Sequence, residues 1–157
     1  MKISTSDIQE IRQQTGLGVM DIRNALEEAG GKKDKALDIL KKKAGDKMAK
    51  RAEREAKQGI VGSYAHGDGK LAVLVEVNCE TDFVAKNEDF LGFVKDLTLQ
   101  VASMKPENIK KLLSQDFIKD SSKKVEDLLK EIVAKTGENI VIKRFTIYSI
   151  GEDPVSC

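Results

Sequence analysis

Leu71-Ala72-Val73-Leu74-Val75-Glu76-Val77 runs straight into Asn78-Cys79-Glu80-Thr81-Asp82-Phe83-Val84-Ala85-Lys86-Asn87. The first stretch reads as a β-strand. Leu71, Val73, Val75 and Val77 share one face and Ala72, Leu74 and Glu76 the other, so the strand is expected to be mostly covered on both sides until its end. The second reads as a loop leading into a helix that Asn87 caps. Loops ordinarily use Gly, Ser or Pro, whereas this one sets Phe83 and Val84 among the carboxylates of Glu76, Glu80 and Asp82. Phe83 is one of five Phe in a chain whose aromatic content is 4%. It is therefore either a core anchor packed under the following helix beside Phe90, or a wedge projecting into a partner.

Working outward, Phe90, Phe93, Val94, Leu97 and Val101 form one stripe of the helix after Asn87. Pro106 suits the first turn of a short helix through Leu113. Ser121 or Ser122 is expected to open another, with Val125, Leu128, Leu129, Ile132 and Val133 inward and Thr136-Gly137 as its stop. Asn139 to Ile150 then reads as a long strand. Upstream, Ile60 to Ala65 and the Leu71–Val77 strand flank His66-Gly67-Asp68-Gly69-Lys70, a hairpin signal. Residues 58–157 are thus expected to be an α+β core in the order ββαααβ, a three-stranded antiparallel sheet with helices on one face.

Residues 1–45 read as three short helices. Ser4-x-x-Asp7 starts the first and Thr15-Gly16 stops it. Val19, Ile22 and Leu26, with Ala25 and Ala29, line the second, which Gly30-Gly31 ends. Asp34 caps the third, where Ala36, Leu37, Leu40 and Ala44 share a face before Gly45. The result is a small bundle similar to a ubiquitin-associated domain, suited to docking more than to chemistry. Residues 46–57 read as a helical linker, with Ala49, Ala52 and Ala56 on one side of a charged helix.

Composition narrows the function classes. The chain has 157 residues, 40% of them hydrophobic and 34% charged, with a net charge of +1. That balance argues against a wholesale polyanion binder. Residues 32–57 nevertheless hold eleven Lys and Arg against five acids, a net of +6, which leaves −5 for the remainder. A basic arm for RNA or the ribosome is one reading of that segment. A solvated face of mixed charge is the other, favoured because Glu53 and Glu55 interrupt the run and no aromatic interleaves it. The longest apolar run, Leu71 to Val75, is far too short to span a bilayer. Met1-Lys2-Ile3-Ser4-Thr5-Ser6-Asp7 has no apolar signal core. A cytoplasmic protein without membrane contact is expected.

No residue pattern suggests an enzyme. Gly30-Gly31-Lys32-Lys33 lacks the upstream Gly and the Ser or Thr of a phosphate loop, and Gly67-x-Gly69 lies in a hairpin rather than before a helix. Cys79 and Cys157 are too far apart for a local metal or redox motif, and His66 has no second imidazole to join. Glu76, Glu80 and Asp82 are better read as a solvated acidic loop than as a metal cage or acid/base pair. No cofactor, metal site or catalytic residue is expected.

Several separated blocks of the chain resemble the bacterial elongation factor Ts family. Ile11-Arg12, Thr15-Gly16-Leu17-Gly18-Val19-Met20-Asp21 and Ala25-Leu26-Glu27-Glu28-Ala29-Gly30-Gly31 look like its N-terminal domain. Glu76 to Asn87 matches its most specific block, and Lys135-Thr136-Gly137-Glu138-Asn139-Ile140 with Lys143-Arg144-Phe145 matches its last strand region. Longer members carry two core subdomains and an inserted coiled coil, so this chain looks like a short form with a single core subdomain. The resemblance implies guanine-nucleotide exchange on elongation factor Tu, bound both with GDP and free of nucleotide. It assigns Thr81, Asp82, Phe83 and Val84 to dislocating Mg²⁺ and the phosphate-binding loop of that GTPase, with Phe83 as the intruding group. It assigns Leu17, Val19 and Met20 to N-terminal docking, Val19 standing where Met is commoner. It also implies a homodimer through the core, in which two copies supply what one longer chain supplies elsewhere. The Phe145–Ile150 strand, which carries no charge, would otherwise be poorly protected as a lone edge or open face, and two Cys157 thiols could meet near the axis, although a covalent link is not expected in a reducing cytoplasm.

Overall fold

Local signals place most of the helices. In the computed structural model, which describes residues 3–156, the Ser4 hydroxyl accepts from the Ser6 amide at 3.2 Å to open α1 (Thr5–Thr15). Gly16 closes α1 in the left-handed region at φ 68°, a conformation that costs Gly little. Next come α2 (Val19–Glu28) and α3 (Lys33–Ala52). Gly45 was expected to end the third helix, but α3 runs through it. A mid-helix Gly costs about 1 kcal/mol relative to Ala, and the good helix formers around it (Ala44, Lys47, Met48, Ala49) carry the helix past it. Ile11, Ile22, Ala25, Leu26, Ala29, Ala36 and Leu40 form the apolar cluster of these three helices.

The chain divides into two compact units between Lys50 and Arg51. The second is built on the hairpin of β1 (Gln58–His66) and β2 (Leu71–Cys79). It continues with α4 (Asp82–Ala85), α5 (Glu88–Met104), α6 (Ile109–Ser114), β3 (Asp116–Phe117), β4 (Asp120–Lys124), α7 (Val125–Thr136), β5 (Val141–Ser149) and β6 (Val155–Ser156). The fold is mixed α+β. Its sheet is antiparallel and, among the described residues, has four strands in the order β1-β2-β5-β6 rather than the expected three. The added β6 is only Val155–Ser156, paired to Thr146 and Ile147, too short to leave a period-2 signal. The same holds for the separate β3-β4 ladder. There Asp120–Lys124 is extended where Ser121 or Ser122 was expected to start a helix. The helix opens instead at Val125, with the Asp127 carboxylate accepting from the Lys124 amide at 2.9 Å.

α5 packs its stripe onto β1 and β2, with Phe90, Phe93, Val94, Leu97 and Val101 buried. Gly62 permits the approach, since a Cβ there would lie 2.7 Å from Val94 Cγ1 and 2.5 Å from Thr98 Oγ1. Gln100 is a fully buried member of α5. Its Nε2 donates to the Asp116 carbonyl at 3.0 Å and its Oε1 accepts from the Ile118 amide at 2.9 Å, which holds the β3-β4 ladder against the helix. Beneath α5, Val73, Val75 and Val77 pair across the sheet with Ile147, Phe145 and Ile142.

The expectation that β2 is covered on both faces does not hold. Ala72 and Leu74 are exposed, and Val61 and Tyr148 are exposed on the same side of the sheet. The apolar character of that face belongs to the sequence, but among the described residues of the second unit no element lies over it. Of the two alternatives for Phe145–Ile150, the lone edge does not hold, because β5 has β2 on one side and β6 on the other, whereas the open face agrees with the exposed Tyr148. The long strand at the margin of the sheet is β1.

Candidate functional site: the Thr81–Val84 loop

Thr81 begins where β2 ends. The expected loop contains one helical turn, α4. Thr81 has extended backbone angles, and its hydroxyl accepts from the Val84 amide at 3.3 Å as an N-cap. The turn determines where each side chain points. Ala85 is buried and Val84 half-buried, while Asp82 and Phe83 face solvent. Phe83 is 87% exposed, the most exposed large apolar side chain among the described residues. It does not pack under α5 beside Phe90, which has no exposed surface at all. Asp82 reaches along the turn to Lys86, with Oδ2 3.3 Å from Nζ. Both side chains are largely exposed, so this pair contributes at most a few tenths of a kcal/mol.

The base of the turn is tied down by the segment after α7, a feature the sequence did not single out. Glu138 Oε2 accepts from the amides of Glu80 and Thr81, each at 3.1 Å, and Oε1 accepts from the Thr81 hydroxyl at 2.6 Å. Glu80 reciprocates, its Oε1 accepting from the Asn139 amide at 2.6 Å. Asn139 Nδ2 donates to the Arg54 carbonyl at 2.7 Å, and the Arg54 guanidinium lies 3.7 Å from Glu80 Oε1. Two of the acids beside Phe83 are thus structural acceptors. Glu80 belongs to this network, and Glu76 pairs across strands with Arg144 at 2.7 Å. Cys79 is buried at the same spot and its thiol donates to the Thr81 carbonyl at 3.1 Å. Burial, with the Glu138 charge adding to it, pushes that thiol's pKa up and keeps it protonated. The signal that could have revealed the clamp was Glu138-Asn139 directly after a helix-ending Thr136-Gly137. Sequence spacing does not say which of 26 acids meets which loop.

The other predicted site residues lie in the first unit. Val19 and Met20 are exposed at the start of α2. Leu17 instead packs partly against the helical cluster, so its role is divided between holding the α1-α2 turn and presenting surface.

Much of the basic stretch 32–57 is drawn into pairing. Lys33 lies between Asp7 and Glu10, and its hydrogen bonds to them raise its pKa above the usual lysine value. Lys43 meets Glu28, Lys47 meets Asp21, and Arg51 donates to the Val133 carbonyl at the end of α7. These cations therefore lie in a surface of mixed charge. Among the described residues no group of three or more His, Cys, Asp or Glu is placed to hold a metal ion, and no helix is long and apolar enough to cross a membrane.

What this arrangement can do is bind. A large apolar side chain held out on a clamped turn is suited to contact with another macromolecule. Comparison with known proteins makes the class specific. The family described as Elongation factor TS matches residues 80–156. Elongation factor Ts of Desulforamulus reducens is 39% identical, over 96% of this chain and 90% of its own length. The same factor from Caldanaerobacter subterraneus is 40% identical over 96% and 98%, and that from Geobacter metallireducens 40% over 97% and 91%. The chain belongs to the elongation factor Ts family, and its place is in the elongation stage of protein biosynthesis. The alignment with the Caldanaerobacter protein runs over 195 positions against the 157 residues of this chain, so at least 38 of them have no counterpart here.

Proposed function

We propose that this chain drives GDP off elongation factor Tu by intruding the Thr81–Val84 turn, Phe83 foremost, into the GTPase. Membership of the family makes it a guanine-nucleotide exchange factor for elongation factor Tu. The mechanism is our reading, and the observation that carries it is the exposed Phe83 on a turn that Glu138 clamps from below. Exchange requires a factor that holds the nucleotide-free GTPase more tightly than the GDP-bound one, and GDP affinity then falls by the same ratio. A phenyl ring buried only when the partner's Mg²⁺ and phosphate site is disturbed supplies such a difference. Thr81 and Val84 shape the turn and Asp82 meets a donor on the partner. The factor makes and breaks no covalent bond in this cycle.

The α1–α3 unit acts, in this reading, as a ubiquitin-associated-like docking module, with Val19, Met20 and the exposed part of Leu17 against the GTPase. The factor works in the cytoplasm, with no membrane or nucleic acid in the exchange step. The test is release of labelled GDP from elongation factor Tu by catalytic amounts of the full chain. Release should accelerate with turnover. Met20→Ala should raise the concentration needed for half-maximal acceleration several-fold, with an unchanged rate at saturation, because uniform binding is lost and the wedge remains. No acceleration by the wild-type chain would overturn the reading.

The core is further proposed to form a homodimer. Support comes from the uncovered sheet face that carries Val61, Leu74 and Tyr148. A twofold contact between two such faces would remove that surface from water and give a two-subdomain core. A thiol link through Cys157 falls outside the described residues. Light scattering under reducing conditions should give about twice the 17.3 kDa chain mass at micromolar concentration. A single-chain mass there would rule the stable dimer out.

A further inference from the structure

We propose that Glu138 is a positioning residue for nucleotide exchange, holding the Thr81–Val84 turn so that Phe83 meets the GTPase already in its working orientation. The proposal rests on the wedge reading of Phe83 and adds to it the group that aims the wedge. Glu138 is 55 positions from Phe83 in the chain, yet one carboxylate takes three hydrogen bonds from Glu80, just before the turn, and from Thr81, its first residue. Both amides lie at the point where β2 stops and the strand ladder no longer supplies acceptors. A carboxylate accepting several N–H bonds makes a stiff joint, because charge-assisted bonds are shorter and stronger than neutral ones. The Thr81 hydroxyl passes the constraint on, donating to Glu138 while it accepts from the Val84 amide on the far side of Phe83. Glu138 is itself held, since Gly137 takes the left-handed conformation at φ 72° to end α7 and Asn139 is locked by Glu80 and Arg54.

A wedge that reaches its transition geometry without reordering loses less entropy on the way. Releasing the clamp should therefore leave contact with the GTPase in place and slow the step in which GDP is expelled. The experiment is GDP release from elongation factor Tu over a range of factor concentrations, with wild type, Glu138→Ala, Glu138→Gln, Thr81→Val and Phe83→Ala in parallel. Each is assayed at a temperature where circular dichroism shows the variant folded. Glu138→Ala is expected to lower the rate at saturating factor on the order of tenfold, with the half-saturating concentration within about twofold of wild type. Glu138→Gln keeps a carbonyl oxygen for the two amides and an NH₂ that can donate to the Thr81 hydroxyl. It should recover the rate to within about threefold. Thr81→Val tests the same joint from the turn's side and should reproduce the loss in saturated rate. Wild-type saturated rates in Glu138→Ala, a loss confined to the half-saturating concentration, or failure of Gln to rescue would each overturn the proposal. Phe83→Ala separates it from the reading beneath it. If that variant is inactive while Glu138→Ala is normal, only the positioning role falls. If Phe83→Ala exchanges normally, the wedge itself falls.

Discussion

Phe83→Ala is expected to remove most of the GDP release that the chain drives from elongation factor Tu while leaving its melting temperature unchanged. The side chain is 87% exposed, so its truncation removes almost no apolar burial from the folded chain and leaves no cavity. Its value is realised only in the complex. Burying one Phe there is worth about 1.5–3 kcal/mol, and at 1.4 kcal/mol per decade this is about 10–150-fold in GDP weakening. The hydrogen bonds that define the turn use the Thr81 hydroxyl, the backbone and Glu138, none of which the substitution touches. Thermal unfolding measured beside labelled-GDP release decides the matter. A variant that melts several degrees early would return Phe83 to a structural role, and one with wild-type release would leave the turn without its proposed wedge.

Phe90→Ala is expected to do the opposite, lowering stability steeply by a change only one helical element away. Phe90 has no exposed surface, and it follows the Asn87 cap, whose side-chain oxygen accepts from its amide at 3.3 Å. Replacing a buried Phe by Ala typically costs about 3–5 kcal/mol, the lost transfer energy plus a cavity that the surroundings only partly close. For a chain of this size that is about 10–20 °C in melting temperature. Calorimetry of the two variants side by side gives the contrast. A Phe90→Ala protein that melts with the wild type would mean that α5 is not anchored on the sheet by its stripe.

The two phenylalanines mark the limit of what could be read from the chain. Phe90 announced its burial through Phe93, Val94, Leu97 and Val101 at helical spacing. Phe83 left two readings open, core anchor or wedge, because a loop residue has no periodicity to say which way it faces. Only the turn of α4, capped by Thr81, directs it outward. The helix caps at Ser4, Gly16, Asn87 and Gly137 were legible for the same reason as the stripe, since each acts on residues within one turn of itself. Gly45 shows the failure of that logic. A weak local stop yields to the helical preference on either side of it.

By itself, then, the sequence determined the helical first unit, the hairpin, the amphipathic helices of the core and the closing long strand. All of these are encoded by hydrophobic period and short-range caps. The resemblance of its separated blocks carried the family. Tertiary structure alone decided the fourth strand, the open sheet face with Val61, Leu74 and Tyr148, and the clamp of Glu138 on Thr81. Each of these depends on which distant segments meet. Pairing two residues of β6 with β5, or one carboxylate with amides more than fifty positions away, leaves no periodic trace in either partner. The contact exists only once the core has brought the ends of β2 and α7 together.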